Sequence, residues 1–337
     1  MRFFARLVSV SRIIVLPAAV VLAVVVVGFV ALGCGTSTSS ESTSPSPSSG
    51  GSATGTWTPA DLAALQVDPA AKALLPAGMT EIRCASDIPY PPYEYYDPAT
   101  SKNLTGSEYD LAQAIGKKLG VPALFYETPF DTIILAIKAD KYDMIAGGGM
   151  YDLKSREEAG ITYVDYGYES SAMLVKKGNP EGISDVNSLS GKTVACEAAT
   201  TEQALLQGLN KKFVSEGKQP VHILVFTKQA EALLAVTAGR AIGDMTGHGT
   251  AMYIAMTTNN GNEFEVVKDP SAPKGYEPAY VGYGFLSTST LADAVQKALQ
   301  DLIDGGAYQK MMQKYGMLPL ESAMINAATR HPIAASP

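Results

Sequence analysis

Between Glu81 and Tyr315 the chain alternates short apolar runs with amphipathic stretches, and it does so twice. Residues 82–85 read as a buried strand, 107–119 as a helix with Leu111, Ala114, Ile115 and Leu119 on one face, and 123–126 as a second strand. Residues 130–139 then give a helix, and 142–146 a buried strand that ends in Gly147-Gly148-Gly149. Apolar positions spaced by three and four mark the helices, and short apolar runs bounded by turn residues mark the strands. This βαβαβ order calls for a parallel sheet with helices on its faces. A similar unit follows: 192–197, 221–226 and 241–245 as strands, 201–213 and 229–238 as helices. Residues 280–286 add a glycine-punctuated strand, and 291–304 and 307–315 two closing helices. Two α/β units in tandem, with a return segment after the second, predict two lobes whose strand ends face a common cleft. Lobe 1 is expected over 79–172 and completed by 279–320, lobe 2 over 173–278, with a short helical lead-in at 57–78 and a tail at 321–337.

At the end of the first strand stands Asp87-Ile88-Pro89-Tyr90-Pro91-Pro92-Tyr93-Glu94-Tyr95. Each proline fixes φ and removes a backbone donor, so the segment predicts a stiff loop at a strand's carboxyl end, a natural ligand platform. Tyrosine offers a flat apolar face with a polar tip, and Asp87 a carboxylate for a cation at the same mouth. A proline-rich surface turn with solvated tyrosines is the alternative.

Upstream, Arg2, Arg6 and Arg12 precede an apolar run from 13 to 32 broken only by Pro17, the charge-then-apolar order of an export signal. The run stops at Ala31-Leu32-Gly33-Cys34, and 34–56 is almost entirely Ser, Thr, Gly and Pro, a stretch too polar to fold and expected to act as a tether. Small residues before a lone cysteine resemble a bacterial lipobox, in which residues 1–33 are a lipoprotein signal peptide and Cys34 receives lipid. The alternative is an uncleaved span, since roughly 20 apolar residues reach across a bilayer. Either outcome tethers a folded domain of roughly 280 residues outside the cell membrane. The net charge of −7 argues against nucleic acid or an anionic membrane surface as a partner. Cys84 and Cys196 each lie inside an apolar run, and the expectation is two buried thiols rather than a bridge, with no metal-ligand spacing around them.

In order and spacing, several motifs together resemble the type II, family 3 extracellular solute-binding proteins, which deliver polar amino acids to ABC importers. They are Asp87 to Tyr93 followed by Glu94; Gly106-Ser107-Glu108-Tyr109-Asp110-Leu111; Phe130 with Lys141-Tyr142-Asp143; Arg156 ahead of Tyr163-Val164-Asp165-Tyr166; Leu189-Ser190-Gly191-Lys192; Glu231-Ala232; Tyr283-Gly284; and Asp304-Gly305-Gly306-Ala307-Tyr308. The resemblance runs from about Met79 to Met317. It implies an α/β, two-lobe type II periplasmic-binding-protein fold with a hinge and an interlobe ligand cleft.

Carried over residue by residue, the resemblance implies that Tyr90 and Phe130 sandwich a ligand side chain and that Arg156 grips an α-carboxylate with its planar fork. It further implies that Thr201, beside Thr200 at a helix start, donates to that carboxylate, and that Asp87 supplies an acid from the first loop. Without it, Arg156 reads as a solvated helix residue, Phe130 as core, Thr200 and Thr201 as helix caps, and Gly147 to Gly149 as a turn. Three departures stand out. Gly149-Met150-Tyr151-Asp152-Leu153 replaces a run with small hydroxyls, so Tyr151 or bare backbone takes over a ligand contact. Ala199 stands where a glycine precedes the threonines. The lobe 2 acid that binds an α-ammonium falls on Gly247, with Asp244 displaced from that role. His248 follows Asp244 by four residues, but the flanking glycines argue against a helix that would pair them, and His222 and His331 complete no triad.

These observations predict a surface-tethered receptor of an ABC importer that captures a small polar amino acid by hinge closure as a monomer, with a permease partner, no cofactor and no metal. Two alternatives are an exported dehydratase acting on prephenate-like acids, for which Glu197 is the candidate proton-transfer acid, and a sensing ectodomain working with a separate effector.

Overall fold

The computed structural model describes residues 56–317 and 319–327. The export signal, Cys34, His331 and nearly all of the tether lie outside the described residues.

Both α/β units form. The lead-in is two short helices, α1 (Pro59–Ala64) and α2 (Pro69–Lys72), each started by a proline behind a side-chain cap from Thr58 or Asp68. The first unit runs β1 (Ile82–Ser86), β2 (Tyr95–Tyr96), β3 (Leu104–Thr105), α3 (Ser107–Leu119), β4 (Ala123–Glu127), α4 (Phe130–Lys138) and β5 (Met144–Ile145). After the single turn α5 (Lys154–Glu158) comes the long strand β6 (Ile161–Lys176). The second unit is β7 (Thr193–Glu197), α6 (Thr201–Ser215), β8 (His222–Phe226), α7 (Gln229–Thr237), β9 (Gly243–Gly247), α8 (His248–Thr257) and β10 (Phe264–Val266). The chain then returns through β11 (Tyr276–Leu286), α9 (Leu291–Asp304), α10 (Ala307–Tyr315) and β12 (Met324–Ile325).

One sheet holds both units, in the order β4-β1-β5-β11-β6-β9-β7-β8, with β10 and β12 also paired to β6. Within each unit the neighbours are parallel: β1 with β4 and β5, β7 with β8 and β9. The two are joined by the antiparallel pair β6 and β11. Along β6, Ile161 to Glu169 and Ser171 pair with β11, and Ser171 to Val175 pair with β9. A single strand therefore serves both halves, its pairings to the two overlapping at Ser171.

Alternation along the strands feeds a core on each face. Cys84 packs with α3, α9 and α10, whereas the next residue, Ala85, joins Ile133 and Ile137 of α4. In the second half Val194 and Cys196 meet Leu206, Leu209 and Phe213 of α6, while Ala195 meets Ala232 and Val236 of α7. Both cysteines are free, fully buried and in separate cores.

The strand expected at 241–245 lies two residues later, at β9, and the helix doubted around His248 does form. Gly247 is its cap and His248 its first residue, so Asp244 and His248 sit on different elements.

Candidate functional site

The sequence places its stiffest loop at the end of β1, and the fold turns that loop toward the end of β7. A small cavity of about 20 Å³, close to the minimum that admits one water-sized group, opens there. Its walls come from both halves: Tyr90, Tyr93, Phe130, Gly148, Gly149 and Tyr151 from the first, Thr200, Thr201, Glu202 and Gly247 from the second, and Glu169 from β6 between them.

Tyr90 and Tyr93 are held by the loop's own backbone, where Tyr90 N–H donates to Glu94 O at 2.7 Å and Tyr93 N–H to Tyr90 O at 3.0 Å. Their ring centroids are 6.1 Å apart. Against them lies the glycine run. Gly148 and Gly149 have φ of +70° and +64°, and a Cβ on Gly149 would fall 2.7 Å from the Tyr93 ring, so only glycine fits. Two buried acids position this run: Gly148 N–H donates to Glu94 Oε1 at 2.7 Å and Gly149 N–H to Glu108 Oε2 at 3.2 Å. Burial, then the neighbouring Glu108, push the Glu94 carboxyl well up.

Across the cavity, α6 opens with Thr200 as its cap, its hydroxyl donating to Glu197 O at 2.9 Å and accepting from Gln203 N–H at 3.2 Å. Glu202, 4 % exposed, accepts from Ser171 Oγ at 2.8 Å, Thr201 Oγ1 at 3.0 Å and Tyr151 Oη at 3.4 Å. Glu169 accepts from the Tyr93 hydroxyl, from Gly249 N–H at 3.1 Å and from Ser170 N–H at 2.8 Å. Burial pushes its carboxyl up to about 7. The cavity wall is thus four aromatic rings and two carboxylates, with no basic residue among its lining.

Of the residues singled out from sequence, Tyr90, Phe130, Gly149, Tyr151, Thr200, Thr201 and Gly247 line this cavity. Met150 does not; it is buried in the core under α4. Arg156 stays outside the lining too. Its guanidinium stacks 5.7 Å from the Phe130 ring centroid and donates to Tyr151 O at 2.8 Å, so it braces two wall residues. Asp87 is 1 % exposed and paired with Lys228 at 2.9 Å. Asp244 is buried in β9, where its carboxylate accepts from the Gln229 amide. Sequence reasoning passed over Glu169 and Glu202. The first shows no periodic signal, and an acid in a helix's first turn, like the second, is ordinarily read as a partner of the helix dipole.

Comparison with known proteins agrees with this geometry. Residues 82–317 match the bacterial extracellular solute-binding proteins, family 3. The arginine-binding protein ArgT of Corynebacterium glutamicum is 26% identical over 264 residues, 77% of this chain and 83% of the relative. Among solved structures, an ancestral arginine-binding protein bound to arginine superposes with a TM-score of 0.61 at 25% identity, covering 70% of this chain and 98% of that one. The ancestral amino acid-binding protein AncCDT-1, a precursor of cyclohexadienyl dehydratase, gives 0.58 at 26% identity, covering 70% and 95%. The chain belongs to the bacterial extracellular solute-binding proteins, family 3, and has the type II periplasmic-binding-protein fold.

Proposed function

We propose that this protein is the extracellular receptor of an ABC importer and that it captures a small polar amino acid with a cationic side chain. The observation that carries the reading is the cavity itself. It is walled by both halves, so a ligand there contacts both and favours the closed form by its differential contacts. Aromatic faces attract a cation through their quadrupole, and two buried carboxyl groups without a basic neighbour favour one. Relatives named for arginine binding support the same ligand class. Thr200, Thr201 and the N-terminus of α6 would meet the ligand's α-carboxylate, with Arg156 bracing Phe130 and Tyr151 or swinging onto the carboxylate as the halves close.

The lobes would comprise 79–172 with 279–320, and 173–278. Export through residues 1–33 and a lipid at Cys34 would hold the monomer at the outer face of the cell membrane by its 34–56 tether, facing the permease. Radiolabelled palmitate that enters the wild type but not Cys34→Ser would support that anchor.

Titration calorimetry and thermal shift of the purified protein with arginine, lysine, histidine, glutamine and glutamate test the ligand class. A basic amino acid should raise the melting temperature and glutamate should not, because a ligand specific to the native state stabilises it. A response to glutamate alone, or to none of the five, sinks the proposal. The dehydratase reading has less support: Glu197, the acid it needs, is outside the cavity lining. Turnover of a cyclohexadienyl acid would revive it.

A further inference from the structure

We propose that Glu169 is the residue that receives the ligand's α-ammonium group, so that one carboxylate on the strand shared by both halves sets the requirement for an amine. The inference rests on the amino-acid reading above and adds a residue that neither the sequence nor the comparisons single out.

Three observations carry it. The first is room. Gly247 and Gly249 present bare backbone where Glu169 arrives: a Cβ on Gly249 would sit 2.7 Å from Glu169 Oε2, and one on Gly247 would sit 3.9 Å from Glu169 Cγ. Any other residue at 249 would have to displace the carboxylate, so Gly249 makes room for it, while at 247 a side chain would meet it only at ordinary van der Waals distance. The second is charge. Glu169 is bonded to a phenol and two backbone amides, and none of the ion pairs among the described residues includes it. A carboxylate held away from water without a cation is costly unless the site's occupant provides one. The third is the set of acceptors. Glu169, Glu202 and Thr201 line the same cavity, and an ammonium has three donors to spread over those two carboxyl groups and the hydroxyl, which leaves the faces of Tyr90 and Phe130 to a cationic side chain.

The location has a consequence for closure. Glu169 pairs with Ala279 in β11, and Ser171 pairs with Gly247 in β9, so the acid sits where β6 passes between halves. From there it binds Tyr93 on the first half and Gly249 on the second. An ammonium on this carboxylate consolidates a node that touches both.

The test compares arginine with 5-guanidinopentanoate, the same molecule without its α-amine, on the purified wild type and on Glu169→Gln by calorimetry. The wild type should prefer arginine by about 100-fold, and Glu169→Gln should weaken arginine by about 30-fold while moving the deaminated ligand less than about threefold, since hydrogen bonds to an ionised partner exceed neutral ones. Gly249→Ala, which keeps the acid but crowds it, should shrink the preference in the same direction and serves if Glu169→Gln folds poorly. A second readout is pH. Arginine affinity of the wild type should rise as pH passes through about 7, where Glu169 ionises among Tyr93, Tyr151, Glu202 and the Gly249 amide, and Glu169→Gln should flatten that slope. A wild type that binds both ligands equally, or a Glu169→Gln protein that retains the preference, overturns the assignment and leaves the receptor reading standing. A wild type that binds no amino acid removes both.

Discussion

Lys228 Nζ lies 2.9 Å from Asp87 Oδ1, and the two residues belong to different halves of the molecule. Lys228 caps α7, while Asp87 follows β1. The same ammonium reaches Glu127 at the end of β4 at 2.9 Å and Ile88 O at 3.4 Å. Apart from the shared strands, this cation is a direct polar tie between the strand ends of the two units.

The two arms of that tie are unequal. The Asp87 side chain is 2 % exposed and the Glu127 side chain 60 %, so removing the lysine strands the first and barely affects the second. Lys228→Met should therefore open the halves in the absence of ligand, increasing the radius of gyration in small-angle scattering, and weaken ligand binding by about tenfold through the lost closed population. Glu127→Gln should change affinity by less than about twofold. Equal effects from the two would contradict this division.

The wall formed by Phe130 and its brace Arg156 leads to a second prediction. Phe130→Ala removes an aromatic face from the cavity and should reduce affinity by about 30-fold, near 2 kcal/mol. Arg156→Lys keeps the charge but loses the planar stack and the fork that reaches Tyr151 O, and about tenfold should go with it. If lysine there binds ligand as well as arginine, the guanidinium geometry is irrelevant to the site.

Gly149→Ala should damage stability and binding together. A left-handed φ costs alanine about 1 kcal/mol, and the new methyl would overlap the Tyr93 ring. Chemical denaturation should show a loss of about 1–3 kcal/mol, and calorimetry weaker ligand binding. Gly182→Ala, at φ +61° with open space around it, should show only the backbone part.

The sequence makes the two α/β units legible because their periodicities are local: 107–119, 291–304 and 307–315 match the helices that form, and 82–85 and 123–126 each fall one residue short of the strands. The strand that joins the units was hidden. Ile161 to Lys176 contains Gly167, Glu169, Ser170 and Ser171 in its middle, which reads as a break. Its continuity depends on two different partners, β11 and β9, and no local pattern encodes a change of partner. The same gap hid Glu169. The aromatic wall was visible because prolines and glycines mark their positions, whereas an acid contributed by a hinge strand carries no such mark. Asp87 was visible as a carboxylate at the cleft, but its cation is Lys228, 141 residues later, and not one the sequence could nominate.

Glu197 shares the neighbourhood of Asp87 and makes folding stability sensitive to alkali. It ends β7, is 2 % exposed, and lies close to the Asp87 carboxyl with Asp244 nearby, and neither of its own carboxyl oxygens has a hydrogen-bond partner among the described residues. Two buried carboxylates this close repel when both are ionised, and burial followed by Asp87 pushes Glu197 up to about 10. An unfolded glutamate releases its proton near 4.5. Between these values the folded protein holds a proton that the unfolded chain has lost, so stability falls as pH rises across that window. Glu197→Gln puts a neutral amide there that has no proton to lose in this range. It should match the wild type near pH 4.5 and exceed it by on the order of 1 kcal/mol or more by about pH 8, the gap widening toward pH 10. Denaturant melts of both proteins across this range measure it. A constant difference between them at every pH would mean that Glu197 is ionised in the folded protein.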